Sequence, residues 1–402
     1  MKGLDVCVTR AMRRTAGTRR GASAIMLMVV VSLGACTDER ASQPGDELSA
    51  TLSQIRQSNA SAWDVEVPGI GAAVGSGTGE LVSAVSGAAD PPGNAALQSG
   101  DRFHVGSVTK TFTAALILML DQEEKLSLDS PISNWIQYPG GDEITVRMLL
   151  GHTSGIPDFT DSPNLTRTES PEEAIALAAA MSPTFAPDAS WSYSNTNYTM
   201  LGLISEVVSS ESWERQVVAR FIEPLDLDST YLWSGTPQGP TVTGSRQACG
   251  YPSEPECIPT PGLATLPVVD GEDWTLAWAA GSLVSTPADL ANWMAQLVGG
   301  DVLDDEHRRL MTTATPQSEI ALANLPAFGP TRWSGMGLGL MRYEVDGVGS
   351  AWGHEGTING FVANAAYFTK PQVAVAVTSN FAMADSFAAL GQVAVQMTRD
   401  LR

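Results

Sequence analysis

The chain has 402 residues, 43% hydrophobic and 17% charged, a composition that excludes intrinsic disorder and suits one large domain or two sharing a core. Its formal net charge is -21, from 23 basic and 44 acidic residues. Without the first 35 residues, which carry six basic groups (Lys2, Arg10, Arg13, Arg14, Arg19, Arg20) and one acid (Asp5), 17 basic residues face 43 acidic ones, a net charge of -26. A surface this acidic repels nucleic acid and anionic headgroups, which excludes both as partners.

The arginine-rich start is followed by an apolar run of 12 residues, Ala24 to Ala35. That is too short for a comfortable permanent span and has the length of a signal-peptide hydrophobic region. It ends in Leu33-Gly-Ala-Cys36, which resembles a bacterial lipoprotein signal, with a small-residue pair after a leucine and directly before a cysteine. The resemblance implies that residues 1–35 are removed, that Cys36 is lipidated, and that the chain is exported and anchored to the cell envelope. A simple secretory signal with an incidental Cys36 is the alternative. Thr37 leans toward the outer membrane, and the long basic region leaves Met12 as an alternative start. The polar stretch 36–53 reads as a flexible tether.

Val65 to Val74 and Leu81 to Gly87 are apolar runs separated by S-G-T-G-E, the pattern of a β-hairpin. Val108 to Leu120 then turns helical, with Phe112, Leu116, Met119 and Leu120 as its apolar positions. Helical segments follow at Val146–Leu150, Pro171–Met181, Tyr198–Ser209 and Trp213–Phe221, the last stopped by Pro224. Thr236 to Pro267 is nearly all turn formers and reads as a long surface excursion. Within it, Cys249 and Cys257 can close a disulfide in an oxidising compartment, with two free thiols as the alternative. Thr286 is a candidate cap, with Pro287 and Asp289 behind it, for a helix over Leu290–Leu297. Strand-like runs at Met336–Tyr343, Ser350–His354, Gly360–Phe368 and Gln372–Ser379 precede a helix over Ser386–Met397.

These elements predict an α/β plus all-α architecture. Residues 54–127 and 277–399 supply an antiparallel five-stranded sheet flanked by helices, 128–276 an inserted, mainly helical part, and the cleft between them the ligand site. His104, His152, His307 and His354 form no H-E-x-x-H pattern and no metal-ligand spacing surrounds the cysteines, so neither metal nor other cofactor is expected.

Three short constellations carry chemistry. Ser107-Val-Thr-Lys110 puts a hydroxyl and an amine on one face of a helix, their Cβ atoms roughly 5–6 Å apart. A desolvated lysine can take the serine proton, and a helix N-terminus after Gly106 favours an oxyanion. Tyr193-Ser-Asn195 offers a phenol to relay protons and an amide to hold a substrate, although a core aromatic and a helix cap explain it equally. His354-Glu-Gly356 offers an imidazole and a glycine that lets substrate approach a strand closely, although a lone histidine is commonly structural.

Taken in order and spacing, the three motifs resemble the serine β-lactamase and penicillin-binding superfamily, nearest to class C β-lactamases, D-alanyl-D-alanine carboxypeptidases and esterase relatives. Leu149-Leu-Gly-His-Thr-Ser-Gly155, Gly202-Leu-Ile-Ser-Glu206 and Ala280-Gly-Ser-Leu-Val-Ser-Thr286 support it, and the match runs from Val65 to Arg399. The resemblance implies Ser107 as nucleophile, Lys110 and Tyr193 as proton-transfer groups, and Asn195, His354 and Gly356 at the substrate. It implies backbone N–H groups of Ser107 and Thr357 as the oxyanion hole. His152 falls in a segment where it implies a structural turn, and Asp289 is read as scaffold. Histidine at 354, where many β-lactamases carry lysine, weakens recognition of a carboxylate. The expected activity is therefore hydrolysis of a D-amino-acid peptide or similar small amide, with an esterase, a β-lactamase and a noncatalytic binding module as alternatives.

Overall fold

The computed structural model describes residues 43–63, 67–76, 81–90, 95–165, 170–235, 237–246, 266–267, 277–358, 360–382 and 384–399. Cys36, Cys249 and Cys257 lie outside them, so the expected lipidation site and disulfide fall outside the described residues. Strands β1 (Gly69–Ser76) and β2 (Leu81–Gly87) pair antiparallel with Gly69 opposite Gly87, the hairpin expected from the sequence. Five further strands follow: β3 (Thr331–Met336), β4 (Met341–Val345), β5 (Gly349–Ile358), β6 (Phe361–Phe368) and β7 (Val373–Ser379). Together they form one antiparallel sheet in the order β2-β1-β7-β6-β5-β4-β3.

The sheet has seven strands, not five. The run Met336–Tyr343, which reads as one strand in the sequence, is the end of β3, a turn and the start of β4. Its apolar pattern hides the turn because the turn itself is buried. Leu338 and Leu340 point into the core, and Gly339 adopts φ +91°, where a side chain would be strained and a Cβ would strike Ala114.

Strands β6 and β7 are buried on both faces, and the sequence V-A-V-A-V of β7 explains how. Val373, Val375 and Val377 face one core cluster with Leu48, Leu52, Ile55, Leu390 and Val393, while Ala374 and Ala376 face the other. Small alanines let helices on the second side come close. The first side is covered by α1 (Pro44–Trp63) and by the C-terminal helix Ser386–Met397, which has the bounds expected from the sequence. Helix α1 corrects the expected tether from residue 44 onward. Leu48, Leu52 and Ile55 recur at helical spacing and are buried against the sheet, with Ser53 Oγ 3.2 Å from Ser86 Oγ of β2 and Gln54 exposed.

Helix α2 (Thr109–Gln122) runs through the centre of the helical layer, with Phe112 stacked on Trp293 at 3.9 Å. Its buried threonines are all engaged. Thr109 Oγ1 accepts from Leu283 N, Thr111 Oγ1 accepts from Trp293 Nε1, and Thr113 Oγ1 donates to Ala279 O. Helix α3 (Asn195–Ser209) begins three residues before the predicted Tyr198, and Thr286 caps Pro287–Met294 through Asp289 N as expected. Asp289 in turn accepts from Ser229 N and Thr230 Oγ1, a scaffold role. Ser42–Arg402 form one compact unit. Among the described residues no helix is long and apolar enough to cross a membrane.

Candidate active site

Gly106 and Gly356 decide how closely the start of helix α2 approaches the sheet. Gly106 opens the short turn Gly106–Val108 at φ +50°, and a Cβ there would lie 3.0 Å from Thr357 O. A Cβ on Gly356 would strike Val105 O and lie 2.8 Å from Ser107 N. The backbone of β5 is thereby seated against Ser107. We expect Gly356→Ala to push β5 away from the Ser107 amide and to slow acylation of Ser107 by about 10²–10³-fold, the scale of one lost oxyanion donor. The rate of fluorophosphonate labelling measures it, and an unchanged rate would sink the assignment.

Ser107 is half-buried, within reach of solvent, and Lys110 is fully buried one turn along. Lys110 Nζ lies 2.9 Å from Ser107 Oγ, 2.7 Å from Asn195 Oδ1 and 2.7 Å from Ala280 O. Burial lowers the Lys110 pKa to about 7, with Asp158 and Glu355 pulling it partway back. Asn195 is held from its other end. Its Nδ2 donates to Asp158 Oδ2 at 2.8 Å, and its backbone N–H donates to the same oxygen at 2.9 Å. The Asn195 amide thus bridges Lys110 and Asp158 and orients the lysine.

Tyr193 is half-buried with its hydroxyl shielded from solvent, Lys110 Nζ 5.0 Å from its ring centroid and the His354 ring 6.1 Å away. Its hydroxyl makes no well-formed hydrogen bond, although Ser107 is near enough to oppose the burial that pushes its pKa well above the usual phenol value. The structure therefore brings Tyr193 beside Ser107 and Lys110, while the lysine's hydrogen bonds go to Ser107, Asn195 and Ala280. His354 is fully buried, and burial brings its pKa down to about 3, with the nearby lysine adding to the shift. Its Nδ1 contacts the carbonyl of Glu355. A carbonyl only accepts, so the proton sits on Nδ1 and Nε2 is a bare lone pair with no partner. Nε2 of His354 is therefore an acceptor. Glu355 is half-buried, burial raises its pKa to about 7, and Thr357 Oγ1 donates to it.

Ser107, Lys110, Tyr193, Asn195, His354, Gly356 and Thr357 thus converge from a turn, two helices and one strand. Sequence reasoning misses two members. Asp158 looks like the cap of the turn Phe159–Asp161, which it also is through Thr160 N, and the Ala280 carbonyl has no side-chain signature at all. His152 sits at φ +58° in the turn that closes helix Val146–Leu150, its ring stacked on Tyr193 at 4.4 Å. Among the described residues no group of three or more His, Cys, Asp or Glu side chains could hold a metal ion.

Known proteins share this fold. A D-stereospecific amidohydrolase from Streptomyces sp. superposes with a TM-score of 0.69 at 28% identity, over 86% of this chain and 98% of that one. A D-amino acid amidase from Ochrobactrum anthropi SV3 has the same fold, with a TM-score of 0.73 at 22% identity over 90% of this chain and 99% of that one. Protein flp of Staphylococcus aureus (strain COL) is 28% identical over 227 residues, which is 53% of this chain and 43% of that protein, so the chain spans less than half the length of this relative. The Beta-lactamase family matches residues 51–395, nearly the whole described chain, and the protein belongs to that family.

Proposed function

We propose that this protein is a serine hydrolase that acts through a covalent acyl-serine on a D-amino-acid peptide or similar small amide. The observation that carries the reading is the set of partners around Lys110 Nζ. Two of them, Asn195 Oδ1 and Ala280 O, can only accept, and the third is the Ser107 hydroxyl, which can also donate. An ammonium meets them with three N–H groups, the third donated to Ser107 Oγ; once it loses that proton, the amine keeps two N–H groups on the carbonyls and turns its lone pair to the serine proton. With its pKa lowered to about 7, Lys110 can take this form near neutral pH, whereas Tyr193, pushed upward, stays a phenol.

Lys110 is therefore the base. Ser107 Oγ attacks the amide carbon as its proton passes to Nζ, and the oxyanion is held by the N–H groups of Ser107 and Thr357. The proton moves from Lys110 through the Tyr193 hydroxyl to the leaving amine, the C–N bond breaks, and the acyl-serine forms. Water then attacks the ester carbon, gives its proton back along the same route, and frees the acid and Ser107.

The bare Nε2 of His354 and the Glu355 carboxylate disfavour a substrate carboxylate near β5 and favour a substrate N–H or ammonium. That supports an amino-acid amide over a β-lactam. The test is a kinetic panel of D- and L-amino-acid amides, a D-alanyl-D-alanine peptide, a p-nitrophenyl ester and a penicillin, with intact-mass detection of the acyl-enzyme. Turnover is expected to be greatest on a D-amino-acid amide. An enzyme faster on penicillin would overturn the substrate class, and no adduct and no hydrolysis anywhere would overturn the enzyme.

Leu33 to Cys36 further motivates the proposal that the protein is exported and lipid-anchored at Cys36. Palmitate labelling of the full chain in a bacterial host should be lost in Cys36→Ser, and labelling that persists would refute it.

A further inference from the structure

We infer that His152 is a positioning residue for Tyr193, gripping the backbone on both sides of it and stacking on its ring. The inference rests on the proton-transfer role proposed for Tyr193. The His152 carbonyl accepts from Ser192 N at 3.1 Å, and His152 Nδ1 accepts from Ser194 N, also at 3.1 Å. The residues before and after Tyr193 are therefore both tied to one histidine. Its ring lies 4.4 Å from the Tyr193 ring with an interplanar angle of 26°.

Tyr193 needs such a support. Its hydroxyl has no well-formed hydrogen bond, only the proximity of Ser107, so ring and backbone contacts carry most of the task of placing that oxygen. A backbone N–H always donates, so the bond from Ser194 places the His152 proton on Nε2 and requires a neutral ring. Asn197 Nδ2, 3.3 Å from Nδ1, reinforces this arrangement, and Ser154 Oγ donates to Asn197 Oδ1 at 2.8 Å to orient that amide. Burial, with Lys110 and His354 nearby, holds the His152 pKa well below its ordinary value and keeps the ring in that form. A residue serving only to end the helix Val146–Leu150 would need φ +58° and nothing more, which glycine or asparagine supplies. The contacts to Ser194 and to the Tyr193 ring need the imidazole.

The test uses His152→Gly and His152→Asn, both compatible with the left-handed backbone, alone and combined with Tyr193→Phe, with thermal unfolding to verify the fold. Each is assayed on an amino-acid amide and on the p-nitrophenyl ester of the same acid. The amine must be protonated to leave and p-nitrophenolate need not be, so a displaced Tyr193 harms the amide selectively. His152→Gly is expected to lower kcat on the amide by about 10–100-fold with KM nearly unchanged, the ester far less, and to add nothing in the Tyr193→Phe background. His152→Asn, which keeps an acceptor near the Nδ1 position, should recover part of the loss with the same selectivity. Equal loss on both substrates, or full loss on top of Tyr193→Phe, would overturn the inference. A crystal structure of the folded variant supplies a second readout that is independent of activity. The Tyr193 hydroxyl should shift by about 1 Å or more, and an unmoved tyrosine would refute the positioning role even if the wild type hydrolyses none of the substrates, a result that would count against the proposed function instead.

Discussion

Ser107→Ala is expected to abolish covalent labelling and to lower hydrolysis by about 10⁶-fold, the scale seen when the nucleophile of a serine hydrolase is removed. The fold should hardly notice. Ser107 is half-buried, and the change removes one hydrogen bond, worth about 1 kcal/mol, while Lys110 keeps Asn195 and Ala280 as acceptors. Intact-mass spectrometry after fluorophosphonate treatment reads the first effect and chemical denaturation the second. A labelled Ser107→Ala protein would mean that another residue is the nucleophile. An unlabelled but unfolded one would mean that the turn Gly106–Val108 depends on this hydroxyl for more than chemistry.

Lys110→Met should cost about 10³–10⁴-fold in kcat, near the upper range for removal of a general base. It should also alter stability in a direction that identifies the lysine. In the folded protein Lys110 titrates at about 7, against an ordinary value of 10.5. Between those two pH values the unfolded chain holds a proton that the folded chain lacks. Wild-type stability therefore rises with pH across this window, by roughly 1.4 kcal/mol per unit from this one group, and falls as pH drops toward 7. Lys110→Met, close in length and without charge, removes that slope. Denaturation curves for both proteins across this pH window measure the difference, and parallel pH profiles would show that Lys110 stays protonated in the fold. The wild-type acylation rate should climb as pH passes about 7 and the amine loses its proton, with Glu355 titrating in the same range.

The part of the site legible in the sequence is the part whose geometry is local. Ser107 and Lys110 are one helical turn apart, so their spacing already implies the 2.9 Å contact that forms. Tyr193 and Asn195, and His354 and Gly356, emerge from resemblance, but the sequence does not say which atoms they spend on one another. Asn195 reads as a substrate amide, and nothing in the sequence shows that it is also held between Lys110 and Asp158, 85 and 37 positions away. His354 reads as an imidazole of unspecified tautomer, and its proton is assigned only by the carbonyl that Nδ1 meets. Helix α1 reads as tether because its polar residues outnumber its apolar ones, yet Leu48, Leu52 and Ile55 suffice to bury one face on the sheet.

By itself the sequence determined the Ser107–Lys110 pair, the hairpin, the central helix, the C-terminal strands and helix, and the family motifs that join them. Those depend on side-chain periodicity and on neighbours within a turn or two. Only the tertiary structure decided the seven-stranded sheet, the burial that lowers the lysine's pKa, the Ala280 and Asp158 groups that hold the lysine and Asn195, the tautomer of His354 and the bracket His152 builds around Tyr193. Each of these depends on a backbone group or a lone pair brought close by long-range packing, and none leaves a mark in the local pattern of residue types.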